Sequence, residues 1–280
     1  MIPIDFSYHK PASITEAVET FRQLQQEGKK PLYFNGGTEI ITMLRIHAFY
    51  TDTKAVIDIK AIPECNISEL AGDDFVIGAS IPLAQLEATR TFPLLGKVSS
   101  RIADHTSRGK ITLGGNICGK IKYKEAVLPL LLTDSELVIA GDSGQRQVSI
   151  HDVFEQQMKL DPGEFIVQIR IPKHFLDVPF TSKKQTKIDR ISYSLLTVSA
   201  IKTADKMRFA FSGLCAFPFR SEEMETILNQ QDLAIDDRIS QAIDQLPAPI
   251  LNDVQGSSTY RTFVLGHTLE ETILELEGGN

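Results

Sequence analysis

Cysteine is scarce in this chain. Cys65, Cys118 and Cys215 are the only three in 280 residues, and no CxxC pair occurs. A zinc knuckle or an iron–sulfur cluster supplied by this chain alone is therefore excluded, and the usage fits a reducing compartment. The six histidines are scattered and no HExxH is present, which argues against a metal hydrolase; no metal ligand set is expected on the chain. No G-x-S-x-G supplies a nucleophile elbow. A phosphate-binding Walker loop fails as well, because Gly109-Lys110 runs into Ile111 and Asp104 stands where the upstream glycine is required. The Rossmann fingerprint G-x-G-x-x-G is also missing. Basic residues are outnumbered, 29 to 36, for a net charge of −7, which argues against nucleic acid as a partner. Lys120-Ile121-Lys122-Tyr123-Lys124 is the local exception and reads as a solvated or ligand-edge face. No run approaches the ~18 apolar residues of a membrane span. Met1–Asp5 lacks the charged start and long apolar run of a signal peptide, so a cytoplasmic protein is expected.

What the chain does have is two glycine pairs, Gly36-Gly37 and Gly114-Gly115. Each is followed by small polar side chains, Thr38 and Glu39 after the first and Asn116 after the second. Glycine permits positive φ and a close approach to the backbone, and successive N–H groups in such turns form a nest for phosphate oxygens. Two such pairs suggest two loops closing on one dinucleotide-like ligand. With no nucleophile and no metal cluster, no side chain is expected to be catalytic, and a cofactor would carry the chemistry.

Periodicity places these loops. Ser13 and Glu16 form a capping box for a helix carrying Ala17, Val18, Phe21 and Leu24, which Gly28 stops. Leu32–Phe34 reads as a strand running into the first loop, with a helix from near Thr38 and a buried strand at Val56–Ile59. Hairpins are expected at Asn66–Leu70 with Phe75–Ala79, and at Glu136–Ala140 with Gln147–Ile150. Helices are expected at Leu83–Ala88, Leu94–Ala103 and Ala126–Leu132, and a strand at Glu164–Ile171 stopped by Pro172. Phe180–Gln185, Tyr193–Thr203 and Met207–Phe217 read as an antiparallel meander. Helices at Glu222–Asn229, Asp236–Gln245 and Tyr260 to about Glu275 follow it.

The ordered set of motifs resembles one family. Asn35-Gly36-Gly37-Thr38-Glu39 resembles the A-G-G-T-D segment of the FAD-binding subunit of molybdenum hydroxylases, such as xanthine dehydrogenase and carbon monoxide dehydrogenase. Arg108 to Ile117 resembles the family's R-N-x-G-T-I-G-G-N-I, with Gly109 for asparagine and Ile111 for a small residue. Glu125 stands where an aspartate is common, and the run 121–124 replaces a small, often Ser-Pro-containing stretch. Leu128-Pro129-Leu130-Leu131, Asp134-Ser135-Glu136, Leu160-Asp161-Pro162-Gly163-Glu164, Ile171-Pro172, Lys184-Gln185, Tyr193–Ala200 and Ser258-Thr259-Tyr260-Arg261 complete the match.

The resemblance implies an α+β fold. Two α/β subdomains (about 1–60 and 61–172) would form an FAD-binding domain of the PCMH or vanillyl-alcohol-oxidase type over residues 1–172. A C-terminal α+β domain, an antiparallel sheet with helices, would span 173–280. It also implies that Leu32, Tyr33, Phe34, Asn35, Gly36, Gly37, Thr38 and Glu39, with Thr112, Gly114, Gly115 and Asn116, bind the pyrophosphate and ribityl chain of FAD. Glu125 would hydrogen-bond the adenosine part, and Leu160 and Lys184 would lie near the isoalloxazine ring. The implied role is an electron-transfer subunit. A molybdopterin-binding large subunit and a [2Fe–2S] small subunit would be its partners, and NAD or another molecule its electron acceptor. A stand-alone FAD-dependent oxidase or reductase and a flavin-free scaffold are the alternatives. Without the family, Glu125 and Lys184 read as surface charges, Cys118 as a small buried residue, His105 as a loop residue, and Tyr33 and Phe34 as strand core.

Overall fold

The computed structural model describes Ile2 and residues 4–188 and 192–278; Met1 and Pro3, which entered the reading of the N-terminus, lie outside them. A short strand β1 (Ser7–His9) precedes helix α1 (Ile14–Gln26), whose first turn is capped by the Ser13 hydroxyl on the Glu16 amide. The Glu16 carboxylate returns to the Ala12 amide, one residue before the N-cap position that a strict capping box would use. Strand β2 (Pro31–Phe34), helix α2 (Thr38–Arg45) and strand β3 (Ala55–Asp58) follow. Next come the hairpin β4 (Ser68–Ala71) and β5 (Asp74–Gly78), then the short helices α3 (Leu83–Ala88), α4 (Pro93–Ser99), α5 (His105–Arg108), α6 (Leu113–Cys118) and α7 (Val127–Leu132). A second hairpin, β6 (Glu136–Gly141) and β7 (Gly144–Ser149), leads through α8 (Ile150–Val153) to β8 (Phe165–Pro172). The last part holds β9 (Phe180–Thr186), β10 (Ser194–Lys202), β11 (Met207–Ser212) and β12 (Phe219–Arg220). Helices α9 (Glu222–Leu228), α10 (Ile235–Ile243) and α11 (Ser258–Glu277) end the chain.

The expected α+β fold is the one found, with local differences. β1 was not expected, since three residues are too few to show an alternation. The helix expected to reach Ala103 ends at Ser99, and Ala103 has a positive φ of 50° that no helix accommodates. The third meander strand stops at Ser212, because Gly213 turns with φ 75° and the chain re-enters the sheet as β12.

Two compact units divide the chain. The first comprises Met1–Leu86, His105–Gly119 and Ser135–Lys173; the second comprises Glu87–Asp104, Lys120–Asp134 and His174–Asn280. The first contains a three-stranded parallel sheet in the order β1-β3-β2 and a five-stranded antiparallel sheet in the order β4-β5-β8-β6-β7. Its core joins Ala17 and Leu24 of α1 to Ala55 and Ile57 of β3 and to Phe165 and Val167 of β8. Within it the Tyr33 ring sits 5.1 Å from Phe21 and 4.6 Å from Phe165. Apolar residues on one face of α1 thus anchor the strand that delivers the first glycine loop.

The second unit is built on an antiparallel sheet in the order β12-β11-β10-β9. All six residues of α7 are buried, and α7 packs on β10 and β11. Helix α11 carries Arg261, which is fully buried yet fully engaged. Its guanidinium donates to the carbonyls of Leu195, Gly213 and Leu251 at 3.0–3.2 Å and to the Asp253 carboxylate at 2.6 Å. Five donors in a planar fork suit four acceptors that no apolar side chain could satisfy.

Burial alone would raise the Asp253 carboxyl. Lys122, the Gln255 amide and Arg261 outweigh it and hold the group at about 2. A carboxyl depressed on folding stabilises the protein above its unfolded value of ~3.9, and that stability is lost as pH falls toward 2. The urea midpoint of the wild type should therefore exceed that of Asp253→Asn clearly at pH 5 and converge on it near pH 2. A difference independent of pH would show that the carboxylate charge is not what matters.

Candidate cofactor-binding site

The first unit brings the two glycine pairs together. The end of β2 releases the chain at Asn35, and Gly37 caps α2 in the left-handed region, φ 72° and ψ −4°. The first bond of α2 runs from the Ile41 amide to the Gly37 carbonyl, and no side chain caps this helix. Among the described residues, the amides of Gly36, Gly37 and Thr38 donate to nothing. A helix start with unengaged N–H groups is an anion-binding feature in its own right.

The second pair does something different. The Thr112 hydroxyl caps α6 by accepting from the Gly115 amide at 3.2 Å. Leu113 donates to the Ile81 carbonyl, Gly114 to the Ala79 carbonyl and Asn116 to the Thr112 carbonyl, each at 2.9 Å. Every amide from 113 to 116 is thus already engaged, and this loop is not the open nest that its sequence suggests. Its glycines serve contact. A Cβ on Gly114 would come within 2.7 Å of the Ala79 Cβ, so Gly114 lets α6 lie against the end of β5.

The same logic joins the loops. A Cβ on Gly36 would lie 2.1 Å from the Lys110 carbonyl oxygen and 3.1 Å from the Thr112 amide nitrogen. Only glycine permits that approach. The Ala79 carbonyl accepts both the Gly114 amide and the Asn35 side-chain amide, the latter at 3.1 Å, so one backbone oxygen pins both loops. Sequence reading missed Ala79, and no residue-type signal could have found it, because its role belongs to its backbone.

Around this junction the polar groups are ordered. Asn35 is 8% exposed, and its Oδ1 has no partner although its Nδ2 is bonded. A buried acceptor without a donor calls for one from outside the chain. Lys60 holds the Asn35 carbonyl at 2.9 Å and the Asp58 carboxylate at 2.8 Å, and lies 4.7 Å above the Phe34 ring. Burial would raise Asp58, but Lys60 and the Tyr8 hydroxyl keep its carboxyl below the ordinary range, and Asp58 in turn pushes Tyr8 up to about 12. Glu39 accepts from the Tyr50 hydroxyl at 2.8 Å; burial first and Glu39 second keep that phenol protonated. Lys60 and Tyr50 were not expected at the site.

The remaining expected residues divide. Leu32 pairs with Val56 in the parallel sheet. The Tyr33 ring is core, and its hydroxyl donates to the Gly163 carbonyl at 3.1 Å. Phe34 packs under Gly37, where a Cβ would meet its ring at 2.1 Å. Leu160 is half-buried in the segment before β8. Glu125 and Lys184 belong to the second unit. They are not surface charges: they pair at 2.9 Å with side chains 7% and 6% exposed, Thr197 donating to Glu125 and Lys184 donating to the Arg101 carbonyl. Cys118 is exposed rather than buried, because α6 turns that face outward. His105 opens the short helix α5.

The residues present fit a flavin dinucleotide. Unengaged amides at a helix start, glycines that hold the two loops in contact and an orphaned buried acceptor are the hydrogen-bonding set that a pyrophosphate with an adjoining polyol asks for. Comparison with known proteins agrees. The family profile described as "FAD binding domain in molybdopterin dehydrogenase" matches residues 4–174. The carbon monoxide dehydrogenase medium chain of Hydrogenophaga pseudoflava is 30% identical over 182 residues, 61% of this chain and 60% of that one, so this alignment spans less than two thirds of the relative. The xanthine dehydrogenase FAD-binding subunit of Escherichia coli O157:H7 is 24% identical over 91% of this chain and 88% of that one. In structure, the carbon monoxide dehydrogenase of Hydrogenophaga pseudoflava that lacks the Mo-pyranopterin moiety superposes with a TM-score of 0.87 at 23% identity. That superposition covers 100% of this chain and 99% of the other and establishes the fold. With the profile spanning well over half the chain and both glycine loops lying inside it, the chain belongs to the FAD-binding family of the molybdopterin dehydrogenases.

Proposed function

We propose that this chain is the electron-transfer subunit of a molybdenum hydroxylase. Electrons would arrive from a [2Fe–2S] partner subunit and leave to NAD or another acceptor, while a molybdopterin-binding large subunit oxidises the substrate. The carrying observation is the set of unengaged amides of Gly36, Gly37 and Thr38, locked against the second loop through Gly36 and the Ala79 carbonyl. These neutral donors suit two phosphates without a metal ion. Thr38 and Glu39 extend the first loop, and the Asn35 Oδ1 accepts a donor from the ligand. Thr112, Gly114, Gly115 and Asn116 form the wall of the site rather than its phosphate nest. Glu125 toward the adenosine part, and Leu160 and Lys184 toward the ring, are carried from the family by position. FAD supplies the reversible electron chemistry that no side chain of the chain offers. The chain's own residues bind and orient it. The scarcity of cysteine supports cluster-bearing partners, a cytoplasmic setting and the proposed division of labour. Among the described residues, no helix is long and apolar enough to cross a membrane.

The test is the visible spectrum of the purified protein, with chromatography of the cofactor released on denaturation. FAD is expected at close to one per chain. A protein that stays colourless after incubation with excess FAD would overturn the assignment.

A further inference from the structure

The second unit holds a cavity of about 360 Å³ along β9, the edge strand of its sheet. Lys183 and Lys184 line it from β9, Lys97 and Arg101 from α4 and the turn after it, and Glu271 and Glu275 from α11. With Lys184 engaged elsewhere, three cationic side chains thus stand against two carboxylates here, in a protein whose net charge is −7. The pairing is uneven. Lys183 bridges to Glu275 at 2.8 Å and Glu271 at 3.6 Å, and Lys184 is taken by Glu125. The Thr181 hydroxyl donates to Glu275 as well. The side chains of Lys97 and Arg101 make no ion pair and no hydrogen bond with any described residue. Lys97 lies 5.7 Å from the Phe180 ring.

Two cations that form no ion pair repel each other and raise the positive potential of this open pocket. Lys97 records this. Burial lowers its pKa, Glu275 partly offsets the effect, and the charges of Arg101 and Lys183 lower it further. Lysines on an edge strand often serve only to keep that edge solvated. That reading accounts for Lys183 and Lys184 on β9, but not for Lys97 and Arg101, which reach the cavity from a different element.

We propose that this cavity binds a phosphate-type oxyanion, held by Lys97 and Arg101 with Lys183 at its margin. Three cations against two carboxylates leave one net positive charge, which a bound oxyanion would neutralise. The guanidinium fork presents two parallel N–H groups to such an oxyanion, and the ammonium of Lys97 adds a point charge. The volume lies at the small end of the range for ligand pockets, enough for a phosphoryl group with a modest substituent. The oxyanion is either free phosphate or the phosphoryl end of a nucleotide.

The experiment is calorimetric titration of the purified protein with sodium phosphate at constant ionic strength, after unbound FAD has been removed so that its pyrophosphate does not compete. ADP serves as the nucleotide probe and sodium chloride as the blank. Saturable one-site phosphate binding is expected, weakened about tenfold or more in the double variant Lys97→Met, Arg101→Met. Both side chains are exposed, so this variant should melt within a few degrees of the wild type. ADP binding tighter than phosphate, with the same sensitivity to the double variant, assigns the site to a nucleotide. ADP no tighter than phosphate assigns it to the free ion. Absence of saturable phosphate binding, or binding unchanged in the double variant, would overturn the proposal. Sensitivity to Lys97→Met, Arg101→Met separates this cavity from the glycine loops, so the test fails or succeeds separately from the FAD assignment.

Discussion

Gly36→Ala is expected to strip the protein of flavin while leaving it folded. The new Cβ would sit 2.1 Å from the Lys110 carbonyl oxygen, an overlap with backbone that no rotamer can relieve. One loop must move away from the other, and the amides of Gly36, Gly37 and Thr38 move with it. Loss of alignment across several N–H donors should weaken FAD by on the order of 100-fold. Gly37→Ala adds a second kind of strain, since φ 72° costs an L-residue about 1–2 kcal/mol and its Cβ would strike the Phe34 ring. Gly28→Ala is the control. It too has a positive φ, 73°, but nothing lies within 4 Å of its added Cβ, so it should lose a little stability and keep its flavin. Flavin absorbance per chain, read beside the melting curve, separates these cases. Wild-type flavin content in Gly36→Ala would remove the glycine contact from the account of the site.

Arg261→Met should be the most destabilising single change in the second unit. The guanidinium is wholly buried, and its loss leaves the carbonyls of Leu195, Gly213 and Leu251 without a donor and Asp253 without its inner cation. Removing one partner of a buried charged network typically costs about 3–5 kcal/mol, because the groups left behind stay desolvated. Arg261→Lys should recover only part of this, since an ammonium can reach Asp253 or the carbonyls but not all of them. Denaturant unfolding followed at the second unit would measure both. A loss below about 1 kcal/mol in Arg261→Met would mean that water replaces the guanidinium.

Much of this architecture could be read from the sequence, for identifiable reasons. Helix α1 announced itself through Ser13, its spaced apolar residues and Gly28. The hairpins did so through turn residues at Gly72 and at Gly141 to Gly144. The glycine pairs were visible because glycine takes a positive φ without strain and alone permits a 2.1 Å approach. The division of labour between them was not, since a glycine that bares an amide and one that admits a neighbour look alike in sequence. The Glu125–Lys184 pair was misread in isolation because 59 residues separate its members, and burial of a charge is decided by a partner that local pattern cannot supply. Lys97 and Arg101 gave no signal because only the fold brings them beside Lys183 and Lys184 of β9, more than 80 residues on.

The interleaving of the two units bears on synthesis. The wholly apolar face of α7 is complete at Leu132, yet the strand β11 it packs on begins only at Met207, and Val127 precedes Met207 by 80 residues. At roughly 5–20 residues per second, that leaves a sticky helix waiting on the ribosome for about 4–16 seconds. The second unit cannot close until α11 has emerged, so residues 127–132 stay without their native cover through most of synthesis.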